Sequence, residues 1–153
     1  MKTAVFAAWA SVALLLAGES RAGLGSQCEL RNLPTTGDYR ITNGGWVYNW
    51  STTTLPFICI EELFAAPTKR TITVVDMSPA EDVVCQLHLA NSYGNVVWSS
   101  SSVRSASLSL NPQTLSFPGS IGSGNVYLIT CSVPHVTDLD SWNPSAIVRW
   151  DLY

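Results

Sequence analysis

Three large aromatic side chains, Trp46, Tyr48 and Trp50, stand at i, i+2 and i+4 in the segment Gly45-Trp46-Val47-Tyr48-Asn49-Trp50-Ser51. In an extended strand successive side chains alternate between faces, so the three rings would share one face. Such a row suits one kind of chemistry. The apolar C–H face of a pyranose stacks on an aromatic ring, while nearby amides and hydroxyls serve the sugar's own hydroxyl groups. Asn43, Asn49, Ser51, Thr52, Thr53 and Thr54 are close enough in the chain to take that part. Trp46, Tyr48, Trp50 and Asn49 are therefore the candidate ligand-binding residues. The competing role is core packing, which aromatic side chains fill more often than any other, and it is the leading expectation for these rings. A protein-contact patch is the third reading.

Catalytic groups are scarce. Nucleophilic chemistry needs a base, and His88 and His135 are the 2 histidines of the chain. His88 falls on the polar side of an alternating segment, and His135 follows Pro134 at a strand end. No Gly-x-Ser-x-Gly elbow singles out a serine. Glu61 with Glu62, and Glu81 with Asp82, are adjacent and point apart on a strand, which rules them out as acid/base couples. Asp138, Asp140, Ser141 and Asn143 offer alternating oxygens, but without the central glycine and closing glutamate of a calcium loop they read as a solvated turn. No catalytic residue, metal ligand or cofactor site is assigned, and the expectation is a protein that is not an enzyme. A hydrolase built on His88 or His135 is the alternative. Asn49-Trp50-Ser51 has the form of a glycosylation sequon, relevant only to a eukaryotic secretory route.

The N-terminus supplies an address. Met1 and Lys2 precede an apolar run from Ala4 to Ala17, and Ser20-Arg21-Ala22 fits a small-x-small cleavage pattern. This is the pattern of a secretory signal peptide over residues 1–22, and the run is shorter than the ~20 residues a membrane-spanning helix needs. Residues 23–153 then form one domain of ordinary size, with no membrane span after cleavage. Of 8 basic and 11 acidic side chains, Lys2, Arg21 and Glu19 belong to the leader, which leaves 6 and 10 and a formal charge of −4. That balance argues against nucleic acid and anionic lipid as partners. A glycan or an envelope protein is the partner class that remains.

The 4 cysteines, Cys28, Cys59, Cys85 and Cys131, are widely spaced, without a C-x-x-C pair or a histidine at zinc-finger distance. In a secreted chain they read as two disulfides. Three pairings are possible, and nearness along the chain favours Cys28 with Cys59 and Cys85 with Cys131.

Period-2 alternation recurs after Gly37, and no long helical stripe appears. Val83, Cys85, Leu87 and Leu89 share one face opposite Gln86 and His88. Ala146, Val148, Trp150 and Leu152 alternate with Arg149 and Asp151, which predicts a final strand with one wet side. Further strands are expected at 47–50, 55–60, 70–77, 95–98, 106–110, 113–117 and 126–133. Turn signals separate them, among them Asn43-Gly44-Gly45, Tyr93-Gly94-Asn95 and Asn111-Pro112. Glu61 to Ala66 could make a single helical turn. The fold class is all-β: one antiparallel β-sandwich, immunoglobulin-like or jelly-roll, stabilised by disulfides.

The succession Gly45-x-x-Tyr48-Asn49-x-Ser51, Phe57-Ile58-Cys59, Val74-Val75-Asp76, Val84-Cys85-Gln86-Leu87 and Tyr127-Leu128-Ile129-Thr130-Cys131-Ser132-Val133-Pro134 resembles a family of small uncharacterised secreted β-rich proteins, found as hypothetical proteins in myxobacteria and gammaproteobacteria. Ile60 departs from that pattern, which has proline after the cysteine. The resemblance implies an exported bacterial β domain with disulfides, secreted or periplasmic, and brings no activity with it. The expected role is a non-catalytic binding or structural module of the cell envelope or extracellular space. A carbohydrate-binding module using the aromatic row, and a subunit of an extracellular assembly joined through edge strands, are its alternatives.

Overall fold

The computed structural model describes residues 21–24, 27–31, 39–63, 65–106, 109–123, 126–135 and 144–153. Its strands are β1 (Arg21–Leu24), β2 (Cys28–Leu30), β3 (Tyr39–Ile41), β4 (Val47–Asn49), β5 (Leu55–Glu62), β6 (Arg70–Asp76), β7 (Val84–Ala90), β8 (Val96–Ser99), β9 (Val103–Arg104), β10 (Ser109–Ser116), β11 (Val126–Val133) and β12 (Ala146–Leu152). They form two antiparallel sheets. Sheet A has the order β10-β6-β12-β4-β3, with β1 also on β12; sheet B has the order β2-β5-β11-β7-β8, with β9 also on β7.

From β4 onward most connections cross from one sheet to the other. The resulting inner orders, β10-β6-β12-β4 and β5-β11-β7-β8, are those of a jelly roll. Of the two sandwich types expected, this is the one realised, because an immunoglobulin-like sandwich keeps more consecutive strands as hairpins within a sheet.

The alternation expected for β7 is observed, and β11 shows the same pattern. Cys85, Leu87 and Leu89 of β7, and Tyr127, Ile129, Cys131 and Val133 of β11, are buried. They face Ile72, Val74, Ile147, Trp150 and Leu152 of sheet A in one continuous core. The Tyr127 hydroxyl donates to the Gly122 carbonyl at 3.0 Å, which lets a ring with a polar tip sit fully inside.

Both disulfides follow the expected pairing. Cys28 lies directly opposite Cys59 on β2 and β5, and Cys85 directly opposite Cys131 on β7 and β11. Each pair has a Cα–Cα distance of 4.1 Å. Both therefore staple neighbouring strands of sheet B rather than joining the two sheets. They are consistent with an oxidising extracellular or periplasmic environment.

Four local expectations are corrected. β10 runs unbroken through Asn111-Pro112, with its register against β6 shifting between Ser109 and Gln113. It is an edge strand, where proline's missing N–H costs no ladder bond and a bulge absorbs the extra residues. Glu61 and Glu62 continue β5 instead of opening a helical turn. The wet side expected of β12 is only partly wet, since Asp151 is 3% exposed. Its carboxylate is paired with Lys69 Nζ at 3.0 Å and Arg149 Nη2 at 3.2 Å, and the Thr71 hydroxyl donates to it at 3.3 Å. Lys69 and Thr71 come from outside β12, so periodicity alone does not foresee them. Finally, β1, β2, β3 and β9 were not among the expected strands; each has four residues or fewer.

The expected leader, residues 1–22, lies outside the described residues except for Arg21 and Ala22, which open β1. Cleavage after Ala22 would leave Gly23 and Leu24 opposite Trp150 and Arg149. The Asp138 to Asn143 loop also lies outside the described residues.

A polar knot ties the sheets together at the end of β6. Asp76 is fully buried. Its Oδ1 accepts from Ser78 N at 3.1 Å and Ser145 Oγ at 3.3 Å, and its Oδ2 from Val83 N at 3.2 Å and from Ser105 Oγ. Ser145 leads into β12 of sheet A, whereas Val83 and Ser105 flank β7 and β9 of sheet B.

Candidate functional site

The hairpin β3–β4 places the aromatic row. Its turn is the expected Asn43-Gly44-Gly45. Thr42 N–H donates to the Trp46 carbonyl at 3.1 Å, and Gly45 N–H to the Thr42 carbonyl at 2.9 Å. Gly45 has φ of 77°, a left-handed conformation that glycine adopts without a Cβ clash.

Beyond the turn, the side chains of β4 alternate in an unexpected sense. Val47 and Asn49 are both 0% exposed and point into the sandwich, while Trp46, Tyr48 and Trp50 project from the outer face of sheet A and are half-buried. The leading expectation, that the rings fill the core, is overturned. Val47 settles it by standing opposite Ile147 on the inner face, where β12 brings its own core residue.

The rings form a strip. The Trp46 and Tyr48 centroids are 6.0 Å apart with planes inclined at 30°. At the other end Arg40, which lies opposite Tyr48 in the β3–β4 register, places its guanidinium carbon 4.6 Å from the Trp50 centroid. A guanidinium over an indole face is held by the ring quadrupole and still presents N–H donors at its edge. Burial pushes the Tyr48 phenol above its ordinary value of 10.0, so its O–H is a neutral donor at physiological pH. On β12 the residue opposite Tyr48 is Ala146, whose small side chain adds no bulk beside the rings. The strip thus combines aromatic faces with a phenol and a guanidinium.

Asn49 does not join it. Its Nδ2 donates to the carbonyls of Thr53 at 2.8 Å and Val133 at 2.7 Å, and its Oδ1 accepts from Ser51 N at 2.9 Å and Ser51 Oγ at 2.7 Å. Every polar atom of the amide is spent inside the fold. Asn49 is a clamp between the β4–β5 turn and the end of β11, and a ligand on the ring face cannot reach it.

Arg40 is the residue that sequence reasoning missed. The signal was available: Tyr39-Arg40-Ile41 and Val47-Tyr48-Asn49 flank Asn43-Gly44-Gly45 symmetrically, as the arms of a hairpin do.

The histidines have other duties. His88 is on the outer face of sheet B, as the alternation implies, but it is half-buried and engaged by both nitrogens. Nδ1 is 2.8 Å from Ser99 Oγ and Nε2 is 2.9 Å from Thr130 Oγ1, which bridges β7 to β8 and β11. Burial, helped by the charge of Arg31, lowers its proton affinity below the ordinary 6.5. His135 Nδ1 is buried and has no hydrogen-bond partner among the described residues. Among the described residues neither imidazole has a carboxylate to orient it, as a Ser-His-Asp arrangement requires, and the buried Asp76 binds serines and backbone only.

No protein-family model matches the chain, and no curated protein sequence matches it.

Proposed function

We propose that this protein is an exported, non-catalytic module that holds a glycan on the ring strip of β4. The observation that carries the reading is the orientation of Trp46, Tyr48 and Trp50. Three large rings grouped on the outer face of a sheet instead of in the core make a contact surface, and a functional contact is the ordinary reason for a fold to keep them there together. Arg40 and the Tyr48 hydroxyl supply the directional bonds that pure ring stacking lacks. The leader pattern, the two disulfides and the resemblance to small secreted bacterial β-proteins support export to the periplasm or beyond. Fold analogy adds modest support, since jelly rolls include lectin domains.

The test is binding of the protein to an array of envelope and extracellular glycans, repeated with the double variant Trp46→Ala, Trp50→Ala. Binding that disappears in the double variant is the expected result, with each single variant about 10-fold weaker than the parent. Absence of binding to every glycan on the array would sink the proposal.

The open sheet edges favour a second reading, a subunit of an extracellular assembly. Ile41 at the end of sheet A is 54% exposed, and Val96 and Val97 at the end of sheet B are 53% and 60% exposed. Unpaired, apolar edge strands are templates for pairing with a neighbour. Sedimentation at high protein concentration decides it: association supports the reading, and a strict monomer removes it.

A further inference from the structure

The opposite face of the sandwich carries a depression of about 240 Å³ on the outer surface of sheet B. Phe57, Cys85 and Cys131 line it although their side chains are buried in the core, so its floor is the backbone of β5, β7 and β11. Above that floor stand two cross-strand rows, Pro56-Ser132-Val84 and Thr130-Gln86. Arg31, just past β2, and Ser102, between β8 and β9, complete the lining.

The polar groups here are partly unspent. Gln86 Nε2 donates to the Ser100 carbonyl at 2.6 Å, which anchors the amide and leaves Oε1 open. Thr130 Oγ1 is tied to His88 at 2.9 Å. Among the described residues the hydroxyls of Ser132 and Ser102 and the guanidinium of Arg31 have no hydrogen-bond or ion-pair partner. Arg31 is fixed at its backbone by a 2.9 Å bond from its N–H to the Pro56 carbonyl. Its charge is close enough to this face to depress the proton affinity of His88.

We infer that this depression binds the carboxylate-bearing ring of an acidic sugar, a hexuronic-acid residue, with Arg31 gripping the carboxylate and Ser132, Ser102 and Gln86 Oε1 taking ring hydroxyls. The planar guanidinium matches a carboxylate in a two-point bond, and Pro56 and Val84 offer C–H surface to the apolar side of the ring. The volume lies just below that of pockets for drug-sized ligands, which suits one ring rather than a chain. A neutral sugar would leave the guanidinium without its partner. A bare carboxylate would leave the hydroxyl groups and the apolar surface unused. The site shares no residue with the ring strip, so it stands or falls independently of the proposed glycan platform.

The experiment is a set of amide-resolved NMR titrations of the oxidised protein with D-glucuronate, D-glucose and acetate. Glucuronate is expected to move the amides of Val84, Gln86, Thr130 and Ser132, with a midpoint at least about 10-fold below those for glucose and acetate. Arg31→Gln, on an exposed side chain, should raise that midpoint about 10-fold or more, and Ser132→Ala about 3-fold, while the Trp46→Ala, Trp50→Ala variant leaves it unchanged. Equal midpoints for glucose or acetate, an unchanged midpoint in Arg31→Gln, or no movement of these amides would each overturn the inference.

Discussion

The two sheets of this sandwich reach the same stacked architecture by different means. Sheet B is stapled twice across neighbouring strands, Cys28 to Cys59 and Cys85 to Cys131, and its outer face carries His88, Gln86, Thr130 and Ser132. Sheet A has no cross-link among its described residues, and its outer face carries Trp46, Tyr48 and Trp50. A covalent cross-strand pair sets register without help from side chains around it, so sheet B can carry these polar side chains across its central strands. Sheet A instead relies on packing and on buried polar clamps, Asp76 toward β7 and Asn49 toward β11. The contrast separates two tasks. Sheet B is the cross-linked half, and sheet A presents the aromatic surface.

The sharpest way to break this contrast is to remove a staple. Replacing Cys85 and Cys131 by alanine should destabilise the domain by about 4 kcal/mol, the chain-entropy value for its loop, and somewhat more if the central strands then lose packing. Loss of Cys28–Cys59 should cost nearly as much by loop length, since the separations are 31 and 46 residues. The more central bridge, between β7 and β11, should nevertheless prove the larger. Denaturant midpoints of the two double variants measure this, and equal midpoints would show that position in the sheet is irrelevant.

Asp76→Ala comes next. It takes the acceptor from the Ser78 N–H and from the Ser105 and Ser145 hydroxyls in the interior, while Val83 N–H keeps Ser105 Oγ at 2.8 Å, for an expected loss of about 3 kcal/mol. Because those donors come from both sheets, the transition should stay a single cooperative one at lower denaturant. Separate unfolding of the sheets would mean that packing, and not this knot, couples them.

The ring strip should behave in the opposite way. Trp46→Ala with Trp50→Ala removes half-buried surface from an outer face, so its effect on stability should stay near 1 kcal/mol while its effect on glycan binding is large. A stability loss comparable with that of Asp76→Ala would identify the rings as packing elements after all.

The smallest effect concerns His88. Burial keeps its folded pKa below the ordinary 6.5, so the unfolded chain takes up the proton first as pH falls. Stability is therefore fully present above about pH 6.5 and declines as the solution is acidified from there toward the lower folded value. His88→Gln should flatten that part of the stability profile, measured by thermal melts across pH 5 to 8, a range chosen to bracket that ordinary value.

Much of this could be read along the chain. Strict alternation with core residues on one side, as in Val83, Cys85, Leu87 and Leu89, leaves only one way to bury a strand, and the turn at Asn43-Gly44-Gly45 follows from the backbone freedom of glycine. The observed cysteine pairing is favoured along the chain, although the sequence leaves all three pairings open. Such features depend on a residue and its near neighbours, which any linear reading can inspect.

The orientation of β4 is a different matter. One of its faces offers Trp46, Tyr48 and Trp50, the other Val47 and Asn49, and hydrophobicity alone selects the wrong one. Ile147 on β12 and the carbonyls of Val133 and Thr53, which meet Asn49 across the fold, decide the matter. Asp151 is likewise buried because Lys69 and Thr71 arrive beside it from another part of the chain. Period-2 alternation assigns side chains to two faces but carries no information about what covers each face. That information resides in contacts between residues distant in sequence, and only the packed sandwich brings them together.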